Sequence, residues 1–380
     1  MDDHQGGGGI LIRVAGDMGL VSTQWSFVDR AMKLGIEAFM ETSVVCDGEF
    51  IRFGMRPELR NQLMPDGDTS QLCERLQIKP LLRDTDLERE VLLAMLLSPV
   101  TFEYPNYSEF AASVRIRQNI VKASRSTALS FHTSKIERPE DYWTYSEENG
   151  FTVLPGKSLI VALTKATQPE ASGQQYSFSC YRATEYVILL GIAQELFLSN
   201  PALLQQLQRQ WESRAIKSRQ FHDVFTREYG SMSDPLPAKY YVPGDRLWFR
   251  NPDERSAQII GYEGSWVIYL GRGLFANFWE RDKPYTLASK CIEIYHWRSG
   301  VCQDADGNLQ MDETVVEERV GATMSNPDEV ERILDRMMRL RDPQDVFADG
   351  GCIDASREYP RWICPGTSDL VLPKTNTHPK

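Results

Sequence analysis

Apolar residues recur at helical spacing through most of the first 225 positions and then change period. Phe27, Ala31, Met32, Ile36 and Phe39 predict an amphipathic helix near 25–40, after a short apolar strand at 10–14. A helix over 84–97 has acids in its first turn, Leu92, Leu93, Met95 and Leu96 behind them, and Pro99 beyond its end. Asn106 or Ser108 can cap the next helix, at about 109–128. Its Arg115, Arg117, Lys122 and Arg125 read as a solvated face behind packed Val114, Ile120 and Val121 rather than as a site for an acidic partner. A short helix follows near 157–167, an apolar one from Cys180 to about 198, and a Gln- and Arg-rich one from Pro201 to about 225.

Between 240 and 300 the pattern becomes β-branched and aromatic. Segments 247–249, 266–270 and 274–278 are bounded by Pro243-Gly244-Asp245, Asn251-Pro252 and Gly271-Arg272-Gly273, which predicts antiparallel strands. Helices first and strands afterwards mean an α+β class. Asn326-Pro327-Asp328-Glu329 opens a helix to about 341. The last forty residues, interrupted by Pro and Gly, read as surface wrapping or partial disorder, and the Gly-rich residues 1–9 as a flexible tail.

The 380 residues are enough to bury a core without metal or disulfide staples. The net charge of −11 argues against a nucleic-acid partner. The longest apolar run, at 186–193, falls far short of the roughly 20 residues a membrane span needs. The N-terminus has no basic and apolar leader, so a cytoplasmic or non-classically exported protein is expected. Seven cysteines, an odd number in a long chain, read as reduced thiols. With no CxxC, HExxH or EF-hand loop, no metal and no cofactor are expected.

Cys180 has the most chemistry in its position. It follows two serines able to cap and precedes a long apolar helix. A helix start lowers a thiol pKa and offers backbone N–H groups to a developing oxyanion. A partner for acid/base work is needed, and His132, His222, His296, Asp245 and Glu263 all remain open.

Five blocks add a resemblance. They are Phe102-Glu103-Tyr104 with Ile116-Arg117-Gln118-Asn119-Ile120-Val121, then Tyr176-Ser177-Phe178-Ser179-Cys180, Gly244-Asp245-Arg246-Leu247-Trp248-Phe249-Arg250-Asn251-Pro252, and Val267-Ile268-Tyr269-Leu270-Gly271. In order and spacing, over about residues 75–300, they resemble the Bacillus-type spore-coat transglutaminase, protein-glutamine gamma-glutamyltransferase. The resemblance implies an α+β, papain-like core related to NlpC/P60 hydrolases, and no need for calcium. It also implies a cysteine that takes glutamine amides as a thioester and passes them to lysine amines, forming isopeptide cross-links. Cys180 stands at the nucleophile's position. Ser265 stands where the family has its essential glutamate, Ser179 where a second acid often precedes the cysteine, and Asn277 where a histidine follows the next strand. Glu263 lies two residues before Ser265, about 6.5 Å along a strand and on the same face, and is read as the thiol's partner.

The expected organisation is an N-terminal extension (1–75), a transglutaminase-like catalytic domain (76–300) and a partly irregular C-terminal extension (301–380). The expected partners are proteins with accessible Gln and Lys. Two alternatives stand beside cross-linking: glutamine deamidation on the same fold, and a non-catalytic binding or coat role.

Overall fold

The computed structural model describes residues 8–131, 137–342 and 350–373. Two sheets and a central helix pair hold the chain together. The first sheet has strands β1 (Gly9–Arg13), β2 (Met40–Val45), β3 (Phe50–Met55) and β4 (Thr101–Tyr104) in the order β2-β3-β1-β4, with only β1 and β4 parallel. Gly9 therefore begins a buried strand, where a flexible tail was expected. Helix α1 (Gly16–Leu34) buries Phe27, Ala31 and Leu34 but leaves Met32 exposed. It stops six residues before the expected end because Gly35 takes a left-handed φ of 64° and caps it.

Helix α2 (Asp84–Leu96) matches its predicted range, and α3 (Tyr107–Ser126) is capped by Asn106, whose side chain accepts the Glu109 N–H at 2.9 Å. α3 lies against α4 (Cys180–Ser199) so closely that a Cβ on Gly191 would stand 2.6 Å from the Ile120 side chain and 3.0 Å from its backbone nitrogen. Gly191→Ala is expected to force the helices apart and cost about 1–3 kcal/mol, read as a shift in the urea midpoint at constant slope. A shift below about 0.5 kcal/mol would mean the contact is not tight.

The basic face expected on α3 is solvated only in part, at Arg115 and Lys122. Arg115 pairs with Glu195 at 2.7 Å, Lys122 with Asp84 at 2.7 Å, and Arg125 donates to the carbonyls of Pro80 and Leu270. Arg117 is fully buried against Asp245 at 2.6 Å. A buried guanidinium needs a partner, and here the fold supplies one from 128 residues away.

The second sheet has strands β5 (Thr226–Tyr229), β6 (Arg246–Arg250), β7 (Gly264–Gly271), β8 (Leu274–Phe275), β9 (Tyr285–Thr286) and β10 (Arg357–Pro360). Its order is β9-β8-β7-β6-β10-β5, antiparallel throughout. The segment expected to wrap the surface thus supplies an inner strand. Its charged residues are buried because they are paired: Glu358 accepts from Arg246 at 2.5 Å, and Arg357 donates to the Asp354 carbonyl at 2.6 Å.

Even and odd positions of β7 face different layers. Ile268 and Leu270 join the core around α3 and α4. Val267 and Tyr269 join a second core with helix α5 (Leu287–His296) through Cys291, Ile292 and Ile294. Helices α6 (Glu313–Met324) and α7 (Pro327–Met337) close that second core through Val316, Ile333 and Met337. Among the described residues no helix is long and apolar enough to cross a membrane.

Candidate functional site

Ser177–Phe178 pairs in parallel with Ser130–Phe131, and the chain then turns straight into α4. Ser179 is the N-cap, extended in backbone, and its hydroxyl accepts the Arg182 N–H at 3.3 Å. Cys180 is therefore the first helical residue. Behind it, Tyr181 meets Trp266 of β7 edge-on at 5.2 Å, and Trp266 stacks on Trp248 of β6 with planes 3° apart. Arg246 lies 4.7 Å from the Trp266 ring, anchored by Glu358. This aromatic and cationic backing fixes the start of α4 against the sheet.

The thiol opens into a cleft of about 550 Å³ between α4, the beginning of β7, α5 and α6. An aromatic wall runs along it: Trp279 to Phe131 at 5.2 Å, Phe131 to Tyr262 at 6.2 Å, and Tyr262 to Trp297 at 5.2 Å between ring centroids. Such a wall suits the apolar stem of a long side chain, with polar groups left for its tip.

The expected lowering of the Cys180 pKa by the helix start does not prevail. Burial pushes the thiol up, outweighing the backbone near Trp266 and Tyr181 and the positive charge of Lys290, all of which pull it down. Its thiolate fraction therefore grows with pH beyond neutrality. Alkylation of Cys180 is expected to keep accelerating between about pH 7 and pH 9. A plateau reached below about pH 7 would contradict the dominance of burial.

The residues expected around the thiol divide. Ser265 is buried on the cleft wall, on the face of β7 shared with Val267 and Tyr269. Asn277 also lines the cleft, but its side chain is engaged: it donates to the Lys283 carbonyl at 3.0 Å and accepts the Trp279 and Glu280 N–H groups. Glu263 is exposed and outside the cleft lining, and its carboxylate turns back to accept the Gly261 N–H at 3.0 Å. Its negative charge raises the thiol pKa.

The other partner candidates are also engaged elsewhere. Asp245 is buried on Arg117, His222 bonds Thr226 and Glu358, and His296 bonds Thr323 at 2.8 Å. His132 lies outside the described residues. No group of three or more His, Cys, Asp or Glu fit to hold a metal occurs among the described residues.

Sequence reasoning missed one pair on the cleft wall. Lys290, in the first turns of α5, is buried and ion-paired with Glu293 at 3.0 Å. Spaced i, i+3 on a helix, the two read in sequence as an ordinary surface pair, and nothing local marks them as facing a thiol.

A family model described as "Protein-glutamine gamma-glutamyltransferase" matches residues 69–371. A protein-glutamine gamma-glutamyltransferase of Bacillus pumilus is 28% identical over 193 residues, covering 48% of this chain and 70% of the relative. One of Bacillus licheniformis is 26% identical over 193 residues, covering 50% and 72%. A solved transglutaminase from Geobacillus stearothermophilus, without its C-terminal extension, aligns with a TM-score of 0.37 at 18% identity, over 56% of this chain and 98% of that one.

Proposed function

Since the chain belongs to the protein-glutamine gamma-glutamyltransferase family, we propose that it transfers acyl groups from protein glutamine to lysine amines through a thioester on Cys180, without calcium. The sulfur attacks the glutamine side-chain carbonyl carbon, the C–N bond breaks and ammonia leaves. A lysine amine then attacks the thioester carbon, and the sulfur is released as the isopeptide forms. Covalent catalysis divides one slow amide exchange into two easier ones.

The feature that supports this most is the thiol at the first turn of α4, opening into a cleft with an aromatic wall. The aromatic wall would take the methylenes of the glutamine and lysine side chains. Ser265 would face the substrate amide from the cleft wall as a hydrogen-bonding group, while Ser179 and Asn277 hold the backbone around the site. Glu263 would reach the thiol only if its carboxylate left the Gly261 N–H.

The test is incorporation of a fluorescent primary amine into casein with a calcium chelator present, with ammonia measured alongside. Both signals together are the expected result. Ammonia without incorporation would make the protein a deamidase. Neither signal, with folded protein and several glutamine donors, would favour a non-catalytic role.

A further inference from the structure

Thioester chemistry needs a group that protonates the leaving nitrogen and later accepts a proton from the incoming amine. Ser265, which stands where the resemblance puts the family's glutamate, cannot do so near neutrality. We propose that Lys290 is that group, a catalytic residue of the same cleft, and that Glu293 is the positioning residue that holds it. This rests on the reading of Cys180 as the nucleophile.

Lys290 is the buried cation of the cleft among the described residues. Its side chain is 3% exposed, whereas Lys283 on the same wall is 75% exposed and pairs with Glu280. The ammonium is held from two sides: Glu293 accepts from it at 3.0 Å, and the Tyr285 ring centroid lies 4.0 Å away. Of the other charged groups around the cleft, Glu313 takes the Tyr262 hydroxyl at 2.5 Å and Glu263 takes the Gly261 N–H, while Glu317 is an exposed residue of α6. The capping box of Thr286 and Ser289 fixes the start of α5 and so the direction of Lys290.

The protons balance over one cycle. The reactive form, the minor one at neutrality because burial raises the thiol, is Cys180 thiolate beside Lys290 ammonium. When sulfur bonds to the glutamine carbonyl carbon and the C–N bond breaks, Lys290 gives its proton to the departing nitrogen, which leaves as ammonia. The neutral Lys290 amine then takes a proton from the attacking lysine as the new C–N bond forms and the C–S bond breaks, restoring the pair.

The full-length protein and its Lys290→Met and Lys290→Arg variants test this by two readings. The first is iodoacetamide alkylation of Cys180 against pH, resolved by mass spectrometry. Lys290→Met is expected to raise the midpoint by about one unit, a tenfold loss of thiolate at a given pH, and Lys290→Arg to leave it near wild type. An unchanged midpoint in Lys290→Met overturns the proposal.

The second reading compares acylation by a glutamine amide with acylation by a p-nitrophenyl ester, whose leaving group needs no proton. Arginine keeps the charge but cannot give up a proton. Both variants are therefore expected to lose roughly 10²- to 10⁴-fold on the amide and far less on the ester. Equal losses on the two substrates overturn the proton-transfer role. Glu293→Gln is expected to lower the same amide-to-ester ratio less deeply, and an unchanged ratio removes Glu293. Lys290→Arg, which keeps charge and bulk, guards against a folding defect in the methionine variant. If the wild type itself shows no Cys180-dependent amine transfer, the functional reading fails, while the alkylation midpoint still decides the part played by Lys290.

Discussion

Replacing Cys180 with alanine is expected to bring amine incorporation down by roughly 10⁴-fold or more, to the floor of the assay. The expectation follows from position rather than from reactivity in isolation. The sulfur opens into the cleft and belongs to the cysteine that lines it among the described residues. The fold should not notice the change. Ser179, not Cys180, caps the helix, and Ala183, Tyr186 and Val187 bury its inner face. The alanine variant should therefore unfold within about 0.5 kcal/mol of wild type. A serine in its place keeps the shape but presents an unactivated hydroxyl, and should be nearly as inactive. Retained incorporation in Cys180→Ala, with contamination excluded, would remove Cys180 from the mechanism.

Asp245→Ala should produce the largest loss of stability, about 3–5 kcal/mol. Asp245 and Arg117 are both fully buried and meet at 2.6 Å. Asp245 also accepts the Val242 N–H at 2.8 Å and the Tyr229 hydroxyl. Beyond Asp245, Arg117 meets only weaker partners: two of its guanidinium nitrogens lack a hydrogen-bond partner, the third also reaches the Pro243 carbonyl at 3.3 Å, and the Phe102 and Tyr359 ring centroids lie 5.6 and 5.4 Å away. Removing the carboxylate leaves a buried cation unpaired, the costly case for an ion pair. Gly244 makes the approach possible. Its φ is 88°, and a Cβ there would come within 2.9 Å of the Arg117 Cα. Urea unfolding measures the effect. The double variant Arg117→Met with Asp245→Leu should recover much of the loss, because apolar groups of similar volume need no partner. A loss below about 1 kcal/mol in the single variant would mean that water or another side chain relieves the cation.

What the sequence disclosed was local. The start of α4 is legible because a serine cap meets a long apolar run, and α2 and α3 are legible because their caps and periods agree. Pairings across large separations were not. Arg117 looked like one member of a solvated basic face because Asp245 is 128 residues away. Arg357 and Glu358 looked like surface charges because Arg246, the partner that allows Glu358 to be buried, lies 112 residues earlier.

The site shows the same division. Strand parity placed Glu263 on the thiol's side, but that rule holds only inside a strand. Glu263 sits just before β7 begins, and the N–H of Gly261, two residues away, captures its carboxylate. Lys290 and Glu293 carry no local mark at all, since only the packing of α5 over β7 turns them into the cleft.

The position of β10 has a consequence in time. β5 hydrogen-bonds β10 and, among the described residues, no other strand, and β10 also joins it to β6. Synthesis runs in the other order, so a ribosome releases β5 and β6 long before residues 357–360 exist to stand between them. The sheet that carries β7 therefore cannot close until that strand has been made, and its last joining step bridges more than a hundred residues of chain, the kind of distant closure that slows folding.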